Sequence, residues 1–222
     1  MKSASIFLNG SYPAEQLEFY RDAIRRALGK RILIAADGGL LLFREVGLKQ
    51  DLVIGDFDSV DAEVLAEFSD VETLRFPDEK DATDGELAIR EAIARGSVDI
   101  AIYGAIDMKN ETDHLLANLF LLKLARRLLD GKSDARAVRV IDHLQNIYLV
   151  ENESLGLAGR AGNFVSVIPI CEECEVSISG AAWELDKQRI SMGSSRTLRN
   201  RFAGTNVEIA VSGTALVVHR NS

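Results

Sequence analysis

Residues 31–56, RILIAADGGLLLFREVGLKQDLVIGD, contain two short apolar runs joined by a helical pattern, and this repeat indicates the fold class. RILIAAD and DLVIGD have the length and apolar character of buried strands, while GGLLLFREVG has the spacing of an amphipathic helix. The alternation starts at SIFLNG and continues to DHLLANLFLLKLARRLLD, which begins at Asp113. Strands that alternate with helices indicate a parallel sheet with helical crossovers.

The pattern changes after about residue 136. Segments such as AVRVID, NIYLV, FVSVIPI and NVEIAVSG are rich in strand-forming residues and are separated by Gly, Asn and Ser. We therefore predict an α/β protein: an N-terminal Rossmann-like parallel sheet with helices over residues 1–135, then a small all-β sandwich or barrel over residues 136–222. The helix from Asp113 is apolar almost all round, which predicts burial between the sheet and another layer.

Charge and hydropathy exclude several classes of function. The formal net charge of the 222 residues is −8, which opposes binding to nucleic acid or to an anionic membrane. No apolar stretch approaches the ~20 residues of a membrane span, and the first residues lack a signal-peptide pattern. We expect a cytoplasmic protein. Cys171 and Cys174 lack the further ligands of a zinc site and are expected to be free thiols.

Aspartates follow four successive predicted strands. Along the chain they are Asp37, then Asp56 and Asp58, then Asp78, Asp81 and Asp84, then Asp107 and Asp113. The carboxyl ends of parallel strands share one edge of the sheet, where open sheets bind ligands in a crevice. Helix N-capping is the alternative role for any single residue of this kind, and Asp61 and Thr83 suit that role.

Converging carboxylates repel one another unless a cation lies among them. Oxygen ligands select Mg²⁺ or Mn²⁺, and Mg²⁺ is commonly shared between carboxylates and substrate phosphates. Gly38 and Gly39 follow Asp37 at a helix start, where backbone N–H groups can approach an anion, and Lys80 is a further candidate for phosphate contact. Neither GxxxxGK[ST] nor GxGxxG occurs, which excludes the P-loop and dinucleotide fingerprints.

These motifs resemble those of the thiamine pyrophosphokinase family. DGG at 37–39, GDFDS at 55–59 and FPDEKDATDGELAI at 76–89 are similar to three successive family motifs, and YGA at 103–105 with DHLLANLFLL resembles the fourth. GAAWEL at 180–185 and GSSRT at 193–197 resemble the family's C-terminal β domain.

The resemblance implies transfer of a pyrophosphoryl group from ATP to the hydroxyl of thiamine, with release of AMP. Asp56, Asp58 and Asp81 would organise Mg²⁺ around the triphosphate, and Asp37 would complete the acidic centre, so Asp58→Asn is expected to abolish turnover. The implied ATP and phosphate contacts are Gly38, Gly39, Lys80, Thr83, Asp84, Lys109, Asp113 and His114. The implied thiamine contacts are Trp183, Ser194, Ser195 and Arg196, although a sole Trp also suits a core. The family is dimeric, with thiamine between the catalytic domain of one subunit and the β domain of the other.

Two segments depart from the family pattern. AIDMKNETDH lacks the usual glycine pair and arginine before its Asp-His, and Lys109 is its cation. Lysine is a point charge and cannot replace the bidentate fork of arginine. Arg196 follows Ser195 where the family commonly has asparagine, which adds positive charge near a cationic substrate.

Three other functions remain open at this level. A related pyrophosphokinase acting on another hydroxymethyl heterocycle would accommodate both departures. A haloacid-dehalogenase-like phosphatase would fit LVIGDFDSV, but two strand–helix units precede that strand and no GDxxxD follows it. A non-catalytic thiamine- or nucleotide-binding protein has no need of so many mutually repelling carboxylates.

Overall fold

The computed structural model describes residues 2–57, 60–77, 81–106 and 111–220 of the chain. The chain forms two compact units that interleave in sequence. The first unit comprises Met1–Ser133 and Val140–His143, and the second comprises Asp134–Arg139 and Leu144–Ser222. The single domain boundary expected after residue 135 stays a prediction.

Strands and helices alternate along the first unit. The strands are β1 (Lys2–Phe7), β2 (Ile32–Ala36), β3 (Leu52–Gly55), β4 (Glu72–Arg75) and β5 (Ser97–Tyr103). The helices are α1 (Leu17–Ala27), α2 (Gly39–Val46), α3 (Ala62–Glu67), α4 (Asp84–Ala94) and α5 (Thr112–Leu129), with a short 3₁₀ helix at Ala14–Gln16 before α1. The strand order is β5-β1-β2-β3-β4, and every neighbouring pair in it is parallel.

This order creates a switch point beside β1. From β1 the chain moves outward through β2, β3 and β4, and then crosses back to place β5 on the other side of β1. Connections that leave a sheet in opposite directions open a crevice at the carboxyl ends of the strands. The fold therefore creates a ligand-sized opening near the end of β1.

An aromatic cluster fixes the strands beneath this opening. The ring of Phe7 stacks on Tyr103 with centroids 4.7 Å apart, and meets the ring of Phe43 edge to face at 5.0 Å. Such pairs add about 0.5–1.5 kcal/mol beyond the burial of their area. The contacts tie β1, β5 and α2 together directly below the strand ends.

Helix α5 is buried along one face only, which contradicts the expectation of burial on both sides. Asn118, Leu122 and Ala125 are buried, but Leu116 and Phe120 are 51% and 50% exposed. The apolar surface of this helix is therefore wider than the face that packs against neighbouring elements. None of the helices in the described part of the chain is both long and apolar enough to cross a membrane.

The second unit is antiparallel. Its strands are β7 (Gln145–Ala158), β8 (Phe164–Pro169), β9 (Glu173–Ser179), β10 (Leu185–Ser191), β11 (Asn200–Arg201) and β12 (Asn206–Arg220), and β6 (Val138–Ile141) lies where the two units interleave. β12 pairs with β7 along its whole length. On its other edge it pairs with β9 as far as Ser212 and with β8 from Ala215 onward.

The change of partner coincides with an irregularity in β12. Its register against β7 shifts between Val211 and Thr214, around Gly213 at φ 114°. A bulge of this kind bends a strand, so that the two halves of β12 can pair with different strands. The predicted fold class, a parallel α/β sheet followed by a β-rich region, is confirmed.

Candidate functional site

A cavity of about 150 Å³ lies at the carboxyl edge of the parallel sheet, at the switch point beside β1. Its walls come from the segment after β1, from the end of β2 with the segment that follows it, from the first turn of α4 and from the first two turns of α5. The polar side chains that line it are Asn9, Asp37, Thr83, Asp84, Glu111, His114 and Asn118. Four predicted site residues, Asp37, Thr83, Asp84 and His114, are therefore brought together from three separate segments.

Asp37 is held rigidly at the end of β2. The residue is 7% exposed, and its backbone has φ 46°, in the left-handed region that is uncommon for residues other than glycine. The backbone N–H of Asp37 donates to the Ile54 carbonyl across 2.7 Å, and the Asn9 amide Nδ2 donates to Asp37 Oδ2 across 3.2 Å. The Ile54 contact thus holds the Asp37 backbone, and Asn9, from the segment after β1, orients its carboxylate.

The two glycines after Asp37 lie in close contact with the segment at the end of β1. A Cβ on Gly38 would overlap the Asn9 side chain, and a Cβ on Gly39 would overlap the Phe7 carbonyl oxygen. Helix α2 therefore begins in contact with the end of β1. Their role in binding phosphate stays a prediction, and the backbone contact by itself accounts for Gly39.

The GDFDS segment combines close packing with an unusual backbone. A Cβ on Gly55 would lie 3.2 Å from Asp37 Cα, so the end of β3 lies against Asp37. Phe57 is buried at φ 66°, a conformation that is unfavourable for a bulky side chain. The carboxylate-bearing Asp56 precedes it and is half-buried. Asp58, the other aspartate of the motif, lies outside the described residues.

The start of α4 forms a second wall. Thr83 caps the helix, its Oγ1 accepting the Glu86 N–H across 3.3 Å, while Asp84 and Gly85 face the cavity. A Cβ on Gly85 would meet Leu121 at 3.0 Å, so this turn packs closely on α5. Asp81 is exposed and is not among the described residues that line the cavity. Lys80 lies outside the described residues.

The start of α5 closes the opposite side. Glu111 and His114 line the cavity, and Asn118, one turn further along, is buried and donates to the Ala105 carbonyl across 3.4 Å. Asp113 is exposed, and its Oδ1 accepts the His114 backbone N–H across 2.9 Å. Lys109, the expected cation of this segment, is outside the described residues.

The half-buried phenol of Tyr12 packs against the loop that carries Asn9. The Tyr12 hydroxyl donates to the Leu8 carbonyl across 2.6 Å, in space kept open by Gly104, where a Cβ would overlap that hydroxyl. Burial, and secondarily the nearby Tyr20, raises the pKa of Tyr12 well above its usual value. The phenol therefore stays neutral and keeps its donor hydrogen across the physiological pH range.

The predicted thiamine contacts belong to the second unit. Trp183 is 62% exposed, so its ring is available at the surface and is not a core residue. Buried Asn200 holds its backbone from both ends: Nδ2 donates to the Trp183 carbonyl across 2.7 Å, and Oδ1 accepts the Trp183 N–H across 3.1 Å. The indole is therefore exposed while the backbone of Trp183 is held by two hydrogen bonds.

The loop after β10 is anchored by its one buried residue, Thr197. Ser194, Ser195 and Arg196 are exposed, and Ser194 Oγ accepts the Arg196 N–H across 3.3 Å. Thr197 Oγ1 donates to the Val167 carbonyl across 2.5 Å, while the Val167 N–H donates to the Thr197 carbonyl across 3.0 Å. These paired bonds hold the loop against β8.

The chemistry of the crevice suits a hard divalent cation. Asp37, Asp84 and Glu111 offer carboxylate oxygens, which Mg²⁺ prefers, and neither cysteine lies in this unit. Over the described ranges, no three His, Cys, Asp or Glu side chains converge closely enough to hold a metal ion. The predicted metal set of Asp56, Asp58 and Asp81 includes one residue outside those ranges, so it stays a prediction.

Several residues of these sites were not predicted. In the cavity they are Asn9, Glu111 and Asn118, and in the second unit they are Thr197 and Asn200. Two carried a signal: Asn9 is a polar residue at a strand end, and Asn118 interrupts an apolar helix. Thr197 and Asn200 form hydrogen bonds with residues 30 and 17 positions away in the sequence. No local sequence pattern indicates such partners.

Comparisons with known proteins match both parts of the chain. Residues 26–128 match the model of the thiamin pyrophosphokinase catalytic domain, and residues 149–216 match that of the thiamin pyrophosphokinase vitamin B1 binding domain. Together the matched ranges cover more than half of the chain. No curated protein matches the sequence.

Solved structures share the fold over the full length. A thiamine pyrophosphokinase from Bacillus subtilis is 21% identical, with a TM-score of 0.83 and complete coverage of both chains. One from Geobacillus thermodenitrificans is 25% identical, with a TM-score of 0.77 over 98% of this chain and 97% of that one. One from Candida albicans is 15% identical, with a TM-score of 0.78 over 100% and 89%.

Proposed function

Because the chain belongs to the thiamin pyrophosphokinase family, we propose that it transfers a pyrophosphoryl group from ATP to the hydroxyl of thiamine, with Mg²⁺ as cofactor. The family resemblance deduced from the motifs is confirmed, and the protein is an enzyme, a kinase of thiamine diphosphate biosynthesis. The observation that carries the proposal is the cavity at the switch point, which gathers Asp37, Asp84 and His114 within the matched catalytic range.

The first proposed step is binding of the triphosphate at the start of α4. The helix dipole and the N–H groups of its first turn favour an anion there, and Gly85 lines the cavity at that point. The carboxylates of Asp37, Asp84 and Glu111 would repel a bare triphosphate. Bound Mg²⁺ would neutralise this repulsion and the charge that develops on the phosphates in the transition state.

The proposed metal ligands are Asp56, Asp58 and Asp81, with Asp37 completing the acidic centre. Support comes from the packing of Gly55 against Asp37, which brings the ends of β2 and β3 together, and from Asp56 following Gly55 directly in the chain. The hydrogen bond from Asn9 to the Asp37 carboxylate, and that from the Asp37 backbone N–H to Ile54, support its role in this centre. Lys80, Thr83, Lys109, Asp113 and His114 remain proposed phosphate contacts.

In the second unit, the proposed thiamine contacts are Trp183, Ser194, Ser195 and Arg196. The exposed indole offers a π face to the cationic thiazolium ring, an attraction of about 0.5–2 kcal/mol. The exposed serine hydroxyls offer hydrogen bonds to the pyrimidine.

The test is an assay of AMP formation from ATP, Mg²⁺ and thiamine. We expect thiamine-dependent AMP release, and a loss of about 100-fold or more in kcat for Asp56→Asn, since charge neutralisation supplies most of the catalysis. Asp22→Asn is the matched control, because Asp22 lies at the surface in an ion pair with Arg26. An Asp56→Asn variant with the wild-type rate would remove this residue from the metal site.

The same assay separates the competing functions. AMP release with another hydroxymethyl heterocycle but not with thiamine would identify a different pyrophosphokinase. Hydrolysis of phosphate monoesters without ATP would identify a phosphatase. Tight thiamine binding without AMP release would identify a binding protein.

We also propose a homodimer. Support comes from the half-exposed Leu116 and Phe120 on α5, an apolar pair one turn apart. Light scattering is expected to give twice the 24.3 kDa chain mass. Leu116→Lys is expected to weaken the dimer, whereas Leu28→Lys, also at an exposed leucine, is the control. A monomer at micromolar concentration would contradict the proposal. The cytoplasmic location stays a prediction.

A further inference from the structure

The turn between β8 and β9 brings two thiols together. The Sγ atoms of Cys171 and Cys174 are 3.2 Å apart, and both cysteines are free. A disulfide requires an S–S distance of about 2.05 Å. Small rotations of the two side chains would therefore close the gap, and the pair is a preformed dithiol.

The surroundings of Cys171 favour its thiolate. The Thr214 backbone N–H donates to Cys171 Sγ across 3.3 Å, and Cys174 Sγ lies close enough to donate as well. These hydrogen bonds lower the pKa of Cys171 below its usual value, and the bond from Thr214 has the largest effect. Cys171 is also the more accessible of the two, since Cys174 is 1% exposed. Because the thiolate is the nucleophile, Cys171 is the sulfur equipped to attack.

Cys174 has the opposite properties. Burial, then the hydrogen bond and charge of Cys171, raise the pKa of Cys174 to about 11. Two of these causes depend on a Cys171 thiolate and disappear once that sulfur is covalently bonded. Cys174 would then lose its proton more easily and attack its neighbour. The pair thus has one attacking sulfur and one resolving sulfur.

We propose that Cys171 and Cys174 are a redox modification site that forms a reversible intramolecular disulfide by exchange with a small-molecule disulfide. In the first step the Cys171 thiolate bonds to one sulfur of that molecule, whose S–S bond breaks and releases one thiolate. In the second step Cys174 loses its proton to solvent and bonds to Cys171 Sγ, releasing the second thiolate. The protein dithiol is oxidised by two electrons, and one small disulfide is reduced to two thiols.

The backbone around the pair is built to hold both sulfurs. Gly213 lies beside them, and a Cβ there would be 3.2 Å from Cys171 Sγ and 3.1 Å from Cys174 Sγ. The Thr214 carbonyl oxygen lies 3.2 Å from Cys174 Sγ and accepts the Ile170 N–H across 3.0 Å. The bulge of β12 therefore supplies both the space and the polar contacts.

The turn also connects to the proposed thiamine loop. The Met192 N–H donates to the carbonyl of Glu172, which lies between the two cysteines, across 3.0 Å. Cys174 pairs with Ile190 in the adjoining strand β10. A disulfide at this turn would therefore form next to the residues that precede Ser194.

The test exposes the folded protein to cystamine and follows free thiols and intact mass. Cystamine is the chosen probe because its cationic ends suit the exposed Glu172 and Glu173 beside Cys171. We expect the wild type to lose both thiols without gaining an adduct, and to recover them with dithiothreitol. Cys174→Ser is expected to retain one cysteamine adduct on Cys171, whereas Cys171→Ser is expected to react at least about tenfold more slowly, as a buried thiol does.

Circular dichroism verifies that each variant is folded, and the same reactions in guanidinium give the reference rates for unfolded thiols. In the unfolded chain the difference between Cys171 and Cys174 is expected to disappear. Wild-type protein that keeps both thiols, or that carries separate adducts on both, would overturn the proposal. So would equal rates for the two single variants in the folded state. None of these readouts depends on catalytic activity, so the result is independent of the proposed function.

Discussion

Asn9 donates its side-chain amide to the Asp37 carboxylate across 3.2 Å, and this bond joins the ends of two neighbouring strands inside the cavity. A hydrogen bond to a charged acceptor contributes about 1.5–3 kcal/mol. We expect Asn9→Ala to lower kcat/KM by about 10- to 100-fold, because Asp37 would lose its fixed direction. Steady-state kinetics measure this, with Asn206→Ala, at an exposed asparagine of the second unit, as the control. Wild-type kinetics in Asn9→Ala would show that the bond does not position Asp37.

Gly39→Ala is expected to destabilise the first unit. The added Cβ would overlap the Phe7 carbonyl oxygen, a backbone atom of β1 that cannot rotate away. Overpacking of this kind costs about 1–3 kcal/mol. Urea unfolding measures the change, and Gly204→Ala is the control, since nothing lies within 4 Å of a Cβ there. Equal free energies of unfolding for the two variants would contradict the packing role of Gly39.

Thr197→Val is expected to loosen the loop that carries Ser194 to Arg196. Valine keeps the volume of threonine but removes the hydroxyl that donates to the Val167 carbonyl across 2.5 Å, which costs about 1–3 kcal/mol in a buried site. We expect KM for thiamine to rise while kcat changes less, because the loop binds and does not react. Thr197→Ser restores the hydroxyl and should restore KM; failure of this rescue would assign the effect to the methyl group.

Trp183 is expected to contribute to thiamine binding and not to stability. Trp183→Ala should raise KM for thiamine about tenfold, because it removes a cation–π contact that contributes about 1–2 kcal/mol to binding. Because the ring is 62% exposed, the free energy of unfolding should change by less than about 0.5 kcal/mol. Trp183→Phe keeps an aromatic face and should lose less affinity. As the sole tryptophan, Trp183 also gives a direct binding signal, and thiamine should quench its fluorescence.

The stability of the second unit should depend on pH through His219. This side chain is 4% exposed and stacks on Phe202 with ring centroids 5.0 Å apart. Burial lowers the pKa of His219 below its usual 6.5, so below that pH the unfolded chain binds a proton that the folded protein does not. Stability is therefore highest above pH 6.5 and falls as the pH drops toward the folded-state pKa.

His219→Gln removes this titration. When the pH falls from about 7.5 to about 5, across the ordinary histidine pKa, the free energy of unfolding of this variant should decrease less than that of the wild type. Urea unfolding at both pH values measures the difference, and carboxylate titrations common to both proteins cancel. If the free energy of unfolding changes equally with pH in the two proteins, the pKa of His219 is the same in the folded and the unfolded chain.

The sequence alone predicted the first sheet and its acidic edge because both follow from local order. Alternation of strand and helix forces parallel strands, and parallel strands place their carboxyl ends together. Asp37 and Asp84 could therefore be assigned to one region without any knowledge of side-chain contacts, whereas the family resemblance implied Thr83 and His114. Helix α5 was predicted wrongly, because apolar periodicity shows which side chains avoid water but not how much of the helix its neighbours cover.

Tertiary structure decided the features that depend on distant partners. The packing role of Gly39, the clamp of Asn200 on Trp183, and the exposure of that indole arise from backbone segments far apart in sequence. The two thiols of the CEEC turn form a pair with unequal pKa values, because burial raises the pKa of Cys174 while the Thr214 N–H, from the bulge in β12, lowers that of Cys171. The periodicity of a sequence determines which strands form and where their ends lie, because it reflects local burial. Only the folded chain determines which polar groups meet, because each hydrogen bond requires two segments in one place.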